Sequence, residues 1–402
     1  GDGGGRCRAS NLTFSLMGHD KPKGRGGAGA LNLTPEGRWT GEGGTYFSVI
    51  AHLRLAIDLA AAAWAGRPDV VHLFKPKGHA GAAHLLLWSL RRCGIFRARL
   101  VVDSDDWEGP GGWNDVAGYS LAARRLFAWQ ERWGLRHADA VTAASRVLAH
   151  RARALRDGRG NVSYLPNGVP AGAQFIAPLP NQGVQPRQAG AWLNAPTTST
   201  SSLPLKGGGP GRGLKVRNPD LLWFTRFSEC SPARGLRLFR RVQEQVPQAR
   251  LVVAGKGLHG EEKELLSLAA AQGLSGAVEY RGWVDAQDLP ALFAMVTAAM
   301  FPIDDTTLQR ARCPARLADL LAAGVPVVSE RVGEATAYIE DGESGLLVRP
   351  GDEAAFVTSL VCLLTDEGLR QRLREGAIHR MVKEFSWMTL AEQAETAYRT
   401  GG

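Results

Sequence analysis

"CPARLADLLAAGVPVVSERVGE", Cys313 to Glu334, reads as a polar turn, a short apolar helix, an Ala-Gly break, a β-branched strand and a second polar turn. A helix that stops at a glycine and hands over to an apolar strand is the building unit of a parallel sheet covered on both faces. One acid, Asp319, stands among the leucines and alanines of the helix. An acid in that setting needs a polar partner or a ligand.

The same alternation extends outward in both directions. Upstream lie the strand "LLWFTRF", the helix "GLRLFRRVQEQVP", the strand "ARLVVAGKG", the helix "EEKELLSLAAAQG", then "AVEYRGWV", "AQDLPALFAMV" and "AAMFPI"; downstream come "GLLVRP" and the terminal helices. A first half repeats the pattern. A helical run ends at Gly66, the strand "PDVVHLF" follows, a second helix stops at Gly94, and the strand "ARLVVDSDD" ends in acids. Then come "SLAARRLFAWQERWGLRHA", "DAVTAAS", "RVLAHRARALRDG" and "VSYLPNGV". Strands alternating with helices of this length predict α/β architecture in two doubly wound, Rossmann-like domains, with a cleft between the carboxyl ends of their sheets.

The expected boundaries follow composition. Residues 1–45 form a poorly defined Gly-rich segment with a short strand at "NLTFSLM", and 46–170 form the first domain. Residues 171–215, with "NAPTTSTSSLPLKGGGPGRG", read as a low-complexity linker or insertion, and 216–384 form the second domain. The helix at about 385–400 is expected to pack back on the first.

At 402 residues the chain suits two domains, each able to bury its own core. No apolar run reaches the ~20 residues of a membrane span, and no basic-then-apolar leader opens the chain, so a cytoplasmic address is expected. Five scattered cysteines without a Cys-x-x-Cys pair argue for reduced thiols and against a zinc site. The net charge of +9 draws anions: nucleic acid, an anionic membrane face contacted from the cytoplasmic side, or a phosphorylated small molecule. The arginines are spread over helix surfaces without a nucleic-acid signature, so nucleic acid is not expected.

"ARLADLLAAGVPVVSERVGEATAYIEDGESGLLVRPGD" resembles the signature of glycosyltransferase family 4, the retaining group 1 glycosyl transferases of GT-B fold. "FTRFSECSPARGLRLF", "ARLVVAGKG" and "VEYRGWVDAQDLPALFAMVTAAMFP" follow the same family in order, and "PDVVHLF", "LVVDSDDWEG", "ADAVTAASRVL" and "VSYLPNGV" resemble its acceptor-side domain. The resemblance implies sugar transfer from a nucleotide-diphosphate sugar to a hydroxyl of a glycan, lipid or small molecule. It implies no cofactor beyond the donor itself and no metal site.

Chemistry and resemblance together single out residues. A diphosphate calls for arginine forks and helix amino termini, which Arg226 and Arg234 supply; Arg226 is expected to neutralise the leaving group. The family has a lysine closer to that arginine, where this chain has Arg234. Gly255, Lys256 and Gly257 let a nucleotide approach the backbone, and Gly333 and Glu334 fall on a family loop near the donor. Asp105 and Asp106 occupy the places of the family's histidine-acid pair, where a carboxylate can bind sugar hydroxyls or take a proton. Lys75 and Lys77 are candidate anion contacts, His72 and His79 read as structural, and Trp129 and Trp133 as packing a helix against the sheet. Trp387 reads as a packing anchor.

Of the family's two acids bracketing the opening helix, the ribose-side one falls on Asp319 and the sugar-side one on Ala311. Gln309, Arg310, Arg312, Asp304 and Asp305 are the nearest polar substitutes. Two other readings stay open: a nucleotide-sugar epimerase of the same fold, and a donor-binding but catalytically impaired protein or fragment.

Overall fold

The computed structural model describes residues 49–158, 160–170 and 219–399. The segment expected at 1–45, including its strand, and the linker expected at 171–215 lie outside the described residues. The first half runs α1 (Val49–Gly66), β1 (Val70–Phe74), α2 (Gly78–Arg92), β2 (Arg99–Ser104), α3 (Trp113–Val116), α4 (Leu121–His137), β3 (Ala140–Ala143), α5 (Arg146–Leu155) and β4 (Asn161–Tyr164). The second opens with β5 (Asp220–Phe224), α6 (Pro232–Gln245), β6 (Arg250–Ala254), α7 (Glu261–Ala271), β7 (Val278–Gly282), α8 (Leu289–Met295) and β8 (Ala298–Phe301). It closes with α9 (Thr307–Ala311), α10 (Ala315–Ala322), β9 (Val327–Glu330), α11 (Ala335–Tyr338), β10 (Leu346–Val348), α12 (Glu353–Thr365), α13 (Glu367–Glu384) and α14 (Trp387–Arg399).

Strands of the first half lie in the order β1-β2-β3-β4 and those of the second in the order β10-β9-β8-β5-β6-β7, all parallel among the described residues. Parallel neighbours need a crossover, which the intervening helices supply. The second sheet has a core on each face, as the two-residue period of its strands requires. Leu222, Phe224, Val252 and Ala299 pack with α10 and α11, whereas Leu221, Trp223, Val253 and Met300 pack with α6 and α12. The chain enters at β5, runs out through β6 and β7, and returns on the other side of β5 through β8. That reversal between β5 and β8 is where open α/β sheets bind ligands, outside the carboxyl ends of the strands.

The halves meet through specific contacts. Val169 N donates to Phe385 O at 2.8 Å and Trp387 N donates to Val169 O at 2.9 Å, which joins the end of the first half to the turn before α14. From there α14 crosses to the first sheet, with Leu390 and Ala397 buried and the Tyr398 hydroxyl 2.9 Å from His72 Nδ1. Trp387 itself is 51% exposed, so Leu390 and Tyr398, rather than Trp387, anchor this helix. Trp133 stacks on His137 and meets Trp88 of α2 edge-on, and Trp129 is 44% exposed. In place of the expected packing on the sheet, Trp133 packs on α2, which lies between α4 and α1, and Trp129 stacks outside it on Trp133.

Candidate functional site

Arg226 stands two residues beyond β5, at the switch point. Its guanidinium makes no ion pair among the described residues, and its Nε is buried without an acceptor. Phe227, next in the chain, is held at φ +60°, a strained conformation for a large side chain that turns the loop sharply here. The loop is closed by Glu229, a buried carboxylate that accepts from the Thr225 hydroxyl at 3.2 Å and from Arg226 N at 3.3 Å. Glu229 also binds Arg316 of α10 directly and Arg312 at 3.4 Å. Burial works to raise its pKa, but Arg316 and then Arg312 overcome it and hold the group down at about 2.

Arg312, just past α9, also donates to Ser228 Oγ at 3.0 Å and lies 5.8 Å from the Trp113 ring of the first half. Asp319 sits one helical turn from Arg316, half-buried and without a hydrogen-bond partner among the described residues. Burial lifts its carboxyl to about 6 against the pull of Arg316. A carboxylate of this kind is an open acceptor for ligand hydroxyls.

Arg234 is employed differently. Near the amino end of α6, capped by Ser231, its guanidinium binds Glu330 directly, Asp304 at 2.8 Å and Glu353 at 3.6 Å. Glu330 is fully buried and also accepts Ile303 N at 2.6 Å, so this cluster ties together the ends of β8 and β9. Gly255 has φ +129°, and a Cβ there would meet Thr225 O at 1.7 Å; the "AGKG" turn is glycine because it lies against the β5 loop. Lys256 is exposed, and Gly257 N donates to Glu262 at 3.2 Å. Gly333, at φ +50°, lies against the backbone oxygens of Gln309 and Arg310. Glu334 reaches the first half, accepting from Arg146 N at the start of α5 at 2.6 Å and from the Tyr164 hydroxyl at 2.5 Å. Ala311 is fully buried against Ala143, Leu148 and Ala149 of the first half.

On the first half, Asp105 and Asp106 follow β2 directly and share Lys75, at 3.1 and 2.7 Å. Burial, then the charge of Asp106, raises the Asp105 pKa; Lys75 and the more distant Arg312 oppose this. Lys77 pairs with buried Glu108 at 2.7 Å, so both lysines are spent on carboxylates of their own half. Beneath them Asp103 accepts from Thr142, whose hydroxyl lies 3.1 Å from His72 Nε2. Burial pushes Asp103 up to about 7, and His72, also buried, is lowered to about 4. His79 stacks on His52 at 5.5 Å.

The residues that the linear pattern missed are Glu229 and Arg316. The signal was present in "FSEC" and "CPARLAD", where an acid follows Arg226 at three positions and an arginine precedes Asp319 at helical spacing. Among the described residues no three His, Cys, Asp or Glu side chains are grouped to hold a metal, and no helix is long and apolar enough to cross a membrane.

Two facing sheets of this topology, with charged loops at their carboxyl edges, define a GT-B protein. The solved structures agree on the fold. Sucrose-phosphate synthase from Thermosynechococcus elongatus superposes with a TM-score of 0.61 at 17% identity, over 87% of this chain and 78% of that one. Anabaena HepE in complex with UDP gives 0.56 at 18% identity, over 85% and 81%. Residues 218–366 match the family described as glycosyl transferases group 1, and residues 23–168 match the glycosyl transferase 4-like domain. The chain belongs to these group 1, GT4-like glycosyltransferases. It is 33% identical over 159 residues to D-inositol 3-phosphate glycosyltransferase of Stackebrandtia nassauensis, covering 39% of this chain and 34% of that one. It is 30% identical over 207 residues to phosphatidyl-myo-inositol mannosyltransferase of Mycobacterium leprae, covering 50% of each. The chain thus spans about a third to a half of the length of these curated relatives.

Proposed function

We propose that the protein transfers a sugar from a nucleotide-diphosphate donor to an acceptor hydroxyl, with retention at the anomeric carbon. The observation that carries this reading is the guanidinium of Arg226 at the β5/β8 switch point, unpaired among the described residues, with the open carboxyl of Asp319 on α10, one turn after the Arg316 that Glu229 ties to the Arg226 loop. Arg226 would neutralise the diphosphate and Asp319 would accept from ribose hydroxyls. In the transfer step the bond from the anomeric carbon to the diphosphate oxygen breaks and a bond to the acceptor oxygen forms on the same face. The acceptor proton passes to the departing diphosphate. Asp105, held by Lys75 on the facing strand end, would bind hydroxyls of the sugar or the acceptor. The acceptor is a glycan, a lipid or a small molecule, and a lipid would bring the basic chain to an anionic membrane face.

The test is release of free nucleotide from a panel of UDP- and GDP-sugars, with and without acceptors that include inositol phosphates and phosphoinositides. Acceptor-dependent release supports transfer. Ala311 favours a second reading, binding without transfer, because the family's sugar-side acid is replaced by a methyl buried between the halves. Tight nucleotide-diphosphate binding with no release from any donor would establish that reading instead.

A further inference from the structure

A diphosphate in a site removed from water calls for more than one cation, and the linear pattern offers Arg234 as the second. Arg234 is surrounded by Glu330, Asp304 and Glu353, which answer its charge without a ligand. Arg316 is placed otherwise. It lies on the same helix face as Asp319, three residues earlier, and its Nε is buried without an acceptor among the described residues, like that of Arg226. Glu229 binds one Nη of Arg316, accepts from Arg226 N, and so fixes the β5 loop and α10 in one arrangement. Around that single buried carboxylate stand Arg226, Arg312 and Arg316. Burial lowers the Arg316 pKa, Glu229 opposes this, and the charges of Arg312 and Arg226 lower it further. An arriving anion relieves this crowding of positive charge. Arg312 is turned toward the first half, over Trp113 and close enough to act on Asp105, which leaves Arg226 and Arg316 to the diphosphate.

We propose that Arg316, rather than Arg234, is the second cation on the donor's diphosphate, with Glu229 positioning its guanidinium beside Arg226. The proposal rests on the nucleotide-sugar reading above. It is tested by calorimetric titration of the full chain with UDP and GDP, and with uridine and guanosine, at low and high salt. The wild type should bind one diphosphate far more tightly than its nucleoside, with an affinity that falls as salt rises. Arg316→Gln should lose about 10- to 100-fold of diphosphate affinity and leave nucleoside affinity unchanged; the loss of one charge-assisted fork is of that size. Arg316→Lys keeps the charge without the fork and should lose an intermediate amount, and it carries the test if the glutamine variant does not fold. Wild-type diphosphate affinity in either variant overturns the proposal and leaves the nucleotide-sugar reading standing. An equal loss for diphosphate and nucleoside would make Arg316 structural and also overturns it. A wild type that does not prefer the diphosphate to the nucleoside refutes the nucleotide-sugar reading itself, and the proposal with it.

Discussion

The strand end that carries Asp103, Asp105, Asp106 and Glu108 and the edge that carries Arg226, Arg312 and Arg316 belong to opposite halves, and they manage their charge differently. On the first half the acids outnumber the cations, and Lys75 and Lys77 are both engaged with carboxylates. On the second half the cations outnumber the acid that holds them, and two guanidinium Nε atoms have no acceptor among the described residues. An acid-rich edge with its lysines occupied is suited to hydroxyls, whereas an arginine-rich edge with donors to spare is suited to an anion. The fold supplies the same kind of edge twice; the loops after the strands make them unlike.

The contrast between Arg234 and Arg226 within the second half gives the largest expected effect. Arg234→Met leaves fully buried Glu330 without its cation, and loss of one partner from such a pair costs about 3 to 5 kcal/mol. A matching fall in the denaturation midpoint is expected. A variant as stable as the wild type would show that Glu330 does not depend on Arg234, and the distinction between the two arginines would break.

The acid-rich edge predicts a pH signature. Asp103 is raised to about 7, well above the ordinary carboxyl range, so the native state holds its proton where the unfolded chain has lost it. Its contribution to stability is complete below about pH 4 and is lost as pH rises toward about 7. His72, lowered to about 4, acts in the opposite sense: stability is lost as pH falls below the ordinary histidine value. The melting temperature of Asp103→Asn relative to wild type should therefore climb between about pH 4 and 7. A pH-independent difference would remove Asp103 from the account.

The smallest effect tests how α14 is fastened. Tyr398→Phe removes one partly buried hydrogen bond to His72 and should cost about 1 kcal/mol in urea denaturation. No change would leave Leu390 and Ala397 as the anchors of the crossing helix.

Much of this architecture could be read along the chain, because buried parallel strands such as "LVVDS" and "LLWF" are apolar runs and several helices, α1, α2, α7 and α10 among them, end at or just before a glycine. The short helices α3, α9 and α11 could not, since four or five residues carry no period. Asp319 and Arg226 were legible as acid and cation at the right edge. The engagement of Arg234 was not, because Asp304, Glu330 and Glu353 stand far along the chain and meet it only once β8 and β9 are in place. The same holds for Glu334, whose partners Arg146 and Tyr164 belong to the other half. Local pattern reports which side chains reach an edge, and tertiary packing decides which of them are free there.

The proposed role of Arg226 on the leaving diphosphate is tested most directly by Arg226→Ala. Circular dichroism should show an intact fold, because no ion pair among the described residues is lost, while donor turnover falls by about 100-fold or more, as removal of a charge-stabilising donor typically costs. Turnover close to that of the wild type in a folded Arg226→Ala protein would contradict the account.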